Sequence, residues 1–430
     1  MNRSIALNLE KLWHHGFNEF NSTLELPEVV EIREQLSAYN QGRPVGYSLL
    51  NFLMSMDFPL FDPSGKERQK PDFNLLESEL HKTYLQDTHT KTYICPLNFI
   101  DQDLTMEFGS SRLGRCDPDK LQEYFHKSMI YFRGLNFDIQ KLTAFNFLII
   151  NEEYTDEHLG EARTGLFAFM NREYTFGGFL IHKQYFPKVV EDAIFYLLLA
   201  PWEEVLYESM DSIPTFSIPW VYETTDDILH NPHFLPDITQ LAFEPKWFST
   251  PDGVEIEREV PIEIQMHPNF FIETTKKNED NLWGKFEAVQ DLPLFSKPIK
   301  HFFIRFFMSE GVDQLLALLT AIEAALALEM DLNTNWKKEN LINHKNTNAT
   351  RLISIRLNNL LGGEEHGKTF AEMYKLRNKY IHGHMTDEPI SNQQMGNLYG
   401  VARKMILKLI DLSHEKRHLT REEILISLSI

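Results

Sequence analysis

The spacing of apolar residues along this 430-residue chain changes near residue 290. Before that point, aromatic and β-branched runs alternate with stretches punctuated by proline, which is typical of strands and loops. After it, apolar residues recur every three or four positions, which is typical of amphipathic helices. The pattern therefore predicts an α+β protein: a mixed, β-leaning N-terminal domain over residues 1–290, followed by an all-α helical bundle over residues 296–430.

The first domain is predicted to contain both helices and strands. Helical spacing is found at Pro27–Tyr39 and Asp117–Tyr131, and the second of these begins with a helix-start sequence, DPDK. Runs rich in aromatic and β-branched residues predict strands at Leu142–Ile150, Leu166–Met170, Tyr174–Ile181 and Val254–Met266. Five prolines between residues 201 and 236 predict a loop-rich connection.

Four consecutive helices are predicted in the second domain. Their sequences are GVDQLLALLTAIEAALAL, ATRLISIRLNNLL, KTFAEMYKLRNKYI and NQQMGNLYGVARKMILKLIDL. Ser391 and Gln394 have the spacing of a capping box at the start of the last helix. These signals together indicate a bundle of packed helices.

The distribution of charge supports the same division. Residues 296–430 contain 18 Lys and Arg against 15 Asp and Glu, whereas the rest of the chain contains 24 against 47. The strongly acidic first domain is expected to repel nucleic acid, and it is separately interpreted as a sensing or regulatory domain. A soluble acidic domain that simply adjoins a nearly neutral one explains the same numbers.

Cysteine usage and hydropathy predict a cytoplasmic protein with no membrane partner. The two cysteines, Cys95 and Cys116, are too few for a disulfide framework or a four-cysteine zinc site. The N-terminus lacks the uninterrupted apolar core of a signal peptide. The most apolar run, Leu315–Leu328, is too short to span a bilayer and contains Glu323.

Two chemical motifs overlap between Gly362 and His384, in GGEEHGKTFAEMYKLRNKYIHGH. The first has the form G-x-x-x-x-G-K-[ST], the phosphate-binding loop of NTPases, in which Lys368 contacts the nucleotide. Such a loop needs a strand before it, but the preceding residues have helical spacing, and two glutamates would lie within the phosphate cradle. A helix–loop–helix connection with Gly362 and Gly363 at the end of the first helix explains the glycines better.

The second motif places polar residues on the apolar stripe of a helix. Arg377 and Asn378 occupy the two stripe positions that complete the series Phe370, Met373, Tyr374 and Ile381. A buried guanidinium is costly unless it is paired, so its presence there requires an explanation. Asn378 and His382 share one helix face, and the three polar residues converge on one edge. A buried arginine tied to a carboxylate, with a histidine that caps the helix, remains the structural alternative.

The stretch YKLRNKYIHG resembles the signature of HEPN domains, in which Arg and His are separated by four to six residues and a polar residue follows the Arg. The wider order of LTAIEAALAL, SIRLNNLL, a glycine-bearing loop and His-Gly resembles the ApeA-like branch, over about residues 301–412. The resemblance implies a HEPN helical bundle and a metal-independent endoribonuclease. It also implies a homodimer in which two such motifs form a composite site, and a role as a toxin or abortive-infection effector in antiphage defence.

The chemistry of RNA cleavage by 2′-OH attack suits these residues. His382 is the candidate general acid and base, Arg377 the group that stabilises the phosphate charge, and Asn378 the group that orients the phosphate or the imidazole. The expected substrate is RNA, with tRNA as one candidate class, and the first domain is expected to bind a phage-derived trigger. Neither a metal nor another cofactor is expected.

Two further residues are predicted to support the site. Glu323 is the single acid of an apolar run, and it either pairs with Arg377 or reaches solvent beside Thr320. Arg356 either contacts phosphate or forms a surface ion pair. Paired histidines elsewhere are weaker candidates for metal sites, at His414 and His418 and at His230 and His233. The leading alternative function is a HEPN-fold module that binds RNA or dimerises without cleavage.

Overall fold

The computed structural model describes residues 4–39, 46–61, 64, 68–86, 88–100, 104–132, 137–155, 185–205, 216–230, 232–264, 268–344, 346–383 and 390–430. These residues form a mixed α+β protein with many helices and a small antiparallel sheet. No described helix is long and apolar enough to cross a lipid bilayer.

Each of two compact units is assembled from three segments of the chain. In their described parts, Met1–Asn98, Arg112–Phe179 and Ile218–Pro261 form the first unit, and Phe99–Ser111, Leu180–Ser217 and Ile262–Ile430 form the second. The sequence predicted two continuous domains, 1–290 and 296–430. The grouping by contacts differs because segments from before residue 290 pack with the C-terminal helices.

The first unit contains seven described helices and most of the strands. The helices are α1 (Ile5–Trp13), α2 (Phe20–Thr23), α3 (Pro27–Tyr39), α4 (Gly46–Ser55), α5 (Phe73–Leu85), α6 (Pro118–Tyr131) and α7 (Ile139–Leu142). The strands of the whole chain are β1 (Thr88–Leu97), β2 (Met106–Phe108), β3 (Ser111–Arg115), β4 (Asn146–Thr155), β5 (Tyr222–Thr225), β6 (Phe243–Ser249) and β7 (Glu255–Pro261).

Two hydrophobic cores organise the first unit. One lies among α1, α3, α4 and α5 and is built on residues such as Leu9, Ile32 and Phe52, all with 0% exposure. The other lies between α6 and a sheet in the order β3-β4-β1-β5, where β1 pairs antiparallel with β4 and β5. Strands β6 and β7 form a separate antiparallel pair.

The predictions for the N-terminal half are confirmed in part. The helices at Pro27–Tyr39 and from Pro118 to Tyr131 are present, and strands β4 and β7 overlap two of the predicted strands. The prediction at 142–150 extended too far upstream, since Leu142 ends a short helix. The strands predicted at 166–170 and 174–181 lie outside the described residues. The term β-leaning overstates the sheet content, because the regular structure described within the first 85 residues is all helical.

The described residues of the second unit are mostly helical, and β2 is the short strand among them. The helices are α8 (Lys188–Leu197), α9 (Trp202–Val205), α10 (Pro268–Glu279), α11 (Leu282–Val289), α12 (Lys297–Phe307), α13 (Val312–Leu326), α14 (Thr334–Asn340), α15 (Ala349–Leu361), α16 (Glu364–Ile381), α17 (Asn392–Glu415) and α18 (Arg421–Ser427). The four helices predicted from periodicity are confirmed as α13, α15, α16 and α17. The capping box of Ser391 and Gln394 at the start of α17 is confirmed as well.

Helices α8 and α9 are part of the second unit through apolar and polar contacts. Phe195 on α8 lies with its ring 5.2 Å from that of Phe286, and it also contacts Phe295 and Phe303. On α17, the Arg403 guanidinium donates from Nε to both carboxylate oxygens of Glu203, at 3.0 Å each. The ion pair joins residues 200 positions apart in sequence, and the aromatic contacts join residues about 100 positions apart.

Candidate functional site

The glycines of the phosphate-loop motif belong to a helix–loop–helix connection. Gly362 ends α15 in the left-handed conformation, with φ of 79°, and its N–H donates to the Asn358 carbonyl at 2.7 Å. Gly363 is the N-cap of α16, and Glu364 and Glu365 occupy the first turn, where acids are favourable. Residues 352–357, where a phosphate-binding loop would need a strand, lie inside α15.

Gly367 allows α15 and α16 to approach closely. A Cβ at this position would lie 2.5 Å from the Ser354 carbonyl oxygen, which is backbone and cannot move freely. The Gly367 N–H donates to Asn358 Oδ1 at 2.6 Å. Lys368 follows within the helix, and its side chain is 77% exposed. Helix packing therefore accounts for the second glycine without a bound phosphate.

Arg377 is half-buried on α16 and is held by its neighbours. Its guanidinium carbon lies 5.0 Å from the centre of the Tyr374 ring, a distance at which a cation is attracted to the π face. One of its nitrogens donates to Asn378 Oδ1 at 3.3 Å. Of the five N–H donors of this side chain, that hydrogen bond uses one among the described residues. The remaining donors are the groups that a phosphate would need.

Glu323 on α13 lies beside this arginine. Burial raises the pKa of its carboxyl above the ordinary value, while the charge of Arg377 and a hydrogen bond from the Tyr374 hydroxyl oppose the shift. No salt bridge joins the described side chains of Glu323 and Arg377, so the predicted pairing is limited to an attraction between the two charges over a longer distance. The structure thus brings together Glu323, Tyr374, Arg377 and Asn378.

His382 lies at the end of the same helix. Its backbone N–H donates to the Asn378 carbonyl at 3.1 Å, and Gly383, with φ of 73°, follows the end of the helix. The imidazole is exposed to solvent. Four residues lie between it and Arg377, and a rise of five positions corresponds to about 7.5 Å along the helix axis. The site is therefore an open edge, with a half-buried cation at one end and an exposed imidazole at the other.

Arg356 is neither placed to contact phosphate nor part of a surface ion pair, the two alternatives that the sequence suggested. Its side chain has 0% exposure and forms a two-pronged ion pair with Asp331, from Nη1 at 2.6 Å and from Nη2 at 2.7 Å. Nη1 also donates to the Leu326 carbonyl, and Nε donates to Ser429 Oγ. The predicted surface ion pair is thus a buried one, and in this conformation the guanidinium does not reach a phosphate in solvent.

The other histidine pairs do not assemble a metal site. The rings of His230 and His233 are stacked 5.8 Å apart, and His414 and His418 are exposed. Within the described ranges, no group of three or more His, Cys, Asp or Glu side chains is placed to hold a metal ion. His384 lies outside those ranges.

Sequence reasoning missed a buried charge network on α17. Beside its ion pair with Glu203, Arg403 has Nη1 3.6 Å from Glu273, whose carboxylate also contacts Lys277 at 2.9 Å. Burial, and then the charge of Arg403, lower the pKa of Lys277. Arg403 lies on a buried helix face with Tyr399, so the stripe argument applied to Arg377 would have found it.

Comparison with family models, with curated proteins and with solved structures found no match to this chain.

Proposed function

We propose that the chain is a metal-independent endoribonuclease of the HEPN type, with its site on α16 and the facing part of α13. The observation that supports it best is the setting of Arg377: it lies against Tyr374, it is attracted by the charge of Glu323, and one of its donors is hydrogen-bonded to a described residue. In the buried Arg356, by contrast, all three guanidinium nitrogens donate hydrogen bonds within the protein. The resemblance of RNKYIH to the HEPN signature supplies the reaction class.

The proposed reaction breaks the RNA chain by internal transesterification. The 2′-OH of one nucleotide attacks its own 3′-phosphate, the bond to the 5′-oxygen of the next nucleotide breaks, and a 2′,3′-cyclic phosphate forms. His382 transfers protons, since imidazole is the side chain suited to this near neutral pH. Arg377 stabilises the negative charge that develops on the phosphate, and Asn378 orients it.

The proposal includes a homodimer through the helical unit. The reaction requires one group that accepts the proton of the 2′-OH and another that protonates the leaving oxygen, and a second copy would bring a second His382. Ile381, beside this histidine, is 52% exposed, which gives the surface an apolar contact. Sedimentation at micromolar concentration should show a dimer; a fully active monomer would contradict this part of the proposal.

The wider role proposed is that of a cytoplasmic antiphage effector. RNA cleavage, of tRNA or of another class, would arrest the infected cell, and the acidic first unit would respond to a phage-derived trigger. This part rests on the resemblance alone. It predicts that expression of the intact chain is toxic only when the trigger is present, and that the toxicity requires His382.

Three single variants separate this proposal from its rivals. His382→Ala should lower RNA cleavage in excess EDTA by about 10²–10⁴-fold, the usual contribution of a general acid–base group. Arg377→Ala should lower RNA cleavage by at least the same factor. Lys368→Ala is the control and should stay within a few-fold of the wild type, because this lysine is an exposed helix residue.

The products and the rivals complete the test. Cleaved ends should carry 2′,3′-cyclic phosphate, and cleavage should need neither metal nor nucleotide. A wild-type chain that binds RNA and never cuts it would support the non-catalytic module instead. Nucleotide binding that disappears in Lys368→Ala would support the NTPase. If His382→Ala cleaves as well as the wild type, the proposed function is wrong.

A further inference from the structure

The exposed face of α16 carries a row of basic residues that ends at the proposed site. Lys368, Lys375, Lys379 and His382 are all exposed, and they lie at helix positions i, i+7, i+11 and i+14, on one side. Glu372 is the one acid in this series. The buried residues of α16, which include Phe370 and Met373, face the other way. The row is thus a surface feature that the packing of the bundle does not require.

Charge along this row becomes more positive toward His382. Lys368 has Glu372 within 4.0 Å, one turn away, so its charge is partly offset. Lys375 and Lys379 are four residues apart, about 6 Å along the axis. Lys379 has no acid at any helical neighbour position, because residues 375, 376, 382 and 383 are Lys, Leu, His and Gly. A bound anion is therefore most favourable next to the histidine.

The pair of Lys375 and Lys379 carries a cost for the isolated helix. Like charges at i and i+4 repel each other and weaken a helix, whereas an ordinary solvated face alternates acids and bases at this spacing. Residues 296–430 contain 15 Asp and Glu against 18 Lys and Arg, so composition does not force two lysines to this spacing. An anionic ligand would turn this repulsion into attraction.

We propose that Lys375 and Lys379 bind successive phosphates of a single-stranded RNA, next to the phosphate that is cleaved at His382. This inference rests on the proposed function, which supplies RNA as the ligand. A single strand fits better than a duplex for two reasons. One narrow row of charges follows one backbone, and a 2′-OH can align opposite its leaving oxygen only where the nucleotide is free to leave A-form geometry.

The salt dependence of binding tests the inference on the full-length protein. The probe is a short, fluorescein-labelled, 2′-O-methylated single-stranded RNA, which lacks the attacking hydroxyl and so stays intact. Each phosphate contact on a single strand contributes about 0.7 to the slope of log K against log salt concentration. Fluorescence anisotropy should therefore show that the double variant K375Q/K379Q lowers the slope by about 1.4 relative to the wild type.

Lys368→Gln is the matched control, since it removes the same charge from the same helix face. For this variant, the slope of log K against log salt concentration should fall by less than about 0.35, half the value for one phosphate contact. The reason is that Glu372 partly neutralises the charge of Lys368. An unchanged slope in the double variant, or an equal loss in Lys368→Gln, would overturn the proposal. Equal or tighter binding of a 2′-O-methylated duplex would overturn the choice of a single strand.

Failure of the inference and failure of the proposed function give different results. If the double variant loses its salt-dependent contacts while no RNA is ever cleaved, the binding surface stands and the ribonuclease does not. If His382→Ala abolishes cleavage while the double variant keeps the wild-type slope, the ribonuclease stands and the binding surface is wrong. The thermal midpoint of the double variant should stay close to that of the wild type, because the repulsion removed from α16 is offset by the loss of a cation from its last turn.

Discussion

Glu323 is the residue whose ionisation the structure perturbs within the proposed site. Its pKa is raised because burial outweighs both the attraction of Arg377 and the hydrogen bond from Tyr374. The folded protein therefore keeps a proton on this carboxyl at a pH where the unfolded chain has lost it. It follows that ionised Glu323 costs stability, and that its benefit lies in the position it gives to Arg377.

Glu323→Gln should raise the stability of the protein at pH 7. Below about pH 4.3 the carboxyl is protonated in both states, and the wild type and the variant should unfold alike. As the pH rises through the raised pKa, the wild type alone takes on the cost of a partly buried charge. Thermal unfolding of both proteins over this range should show that the difference between their melting temperatures increases with pH. A variant that is less stable at neutral pH would mean that the attraction to Arg377 outweighs the burial.

Three arginines show how far sequence reasoning reaches at this scale. Arg356, Arg377 and Arg403 all interrupt apolar helix faces, and periodicity identifies each as a residue that needs a partner. It does not identify the partner. Asp331 lies 25 residues from Arg356 and Glu203 lies 200 residues from Arg403, so the packing of the whole unit decides which arginine is satisfied. The packing of the whole unit also decides whether the His382 imidazole is exposed.

Helices α15 and α16 meet at a glycine, and this contact decides their separation. Alanine in place of glycine inside a helix normally stabilises it by about 1 kcal/mol. At Gly367 the added methyl group would meet the Ser354 carbonyl oxygen at 2.5 Å, so the two helices would have to move apart. Overpacking of this kind costs about 1–3 kcal/mol.

Gly367→Ala should therefore lower the free energy of unfolding, against the usual sign for this substitution. Lys368→Ala is the neighbouring control, and it should leave stability nearly unchanged because its side chain is exposed. Urea unfolding followed by circular dichroism measures both. A Gly367→Ala protein as stable as the wild type would show that the helices are further apart than described.

The sequence predicts the elements of the second unit better than those of the first. Long amphipathic helices such as α13 and α17 have several turns of consistent spacing, and their signal is strong. Helix α16 begins earlier than predicted. The low helix propensity of Gly367 suggested a later start, but the packing of this glycine against α15 favours the helix there. The helices of the first 85 residues are mostly short, and their spacing differs little from that of buried strands.

At the scale of the whole molecule, the C-terminal helices depend on residues far upstream. A fragment of residues 296–430 would leave Arg403 buried without Glu203 and Glu273, and Phe303 without Phe195. Removing one partner of a buried ion pair costs about 3–5 kcal/mol, a large share of the stability of a domain. The lost aromatic contacts add to this cost.

We expect the isolated 296–430 fragment not to fold. Its near-ultraviolet circular dichroism should lack the signals of packed aromatic residues, and limited proteolysis should degrade it rapidly. The full-length protein is the positive control, and Glu203→Gln in that protein should weaken the second unit without abolishing it. A fragment that unfolds cooperatively on heating would show that the C-terminal helices form a sufficient core alone.

The assembly of the second unit from three segments constrains how such a protein can be regulated and inherited. A protease that cut once between residues 218 and 261 would place Arg403 and Glu203 on different fragments, so the C-terminal fragment would lack contacts on which its helices depend. A recombination event that copied only the end of the gene would likewise leave out residues 99–111 and 180–217. Any transfer of the second unit to another protein therefore has to carry all three segments.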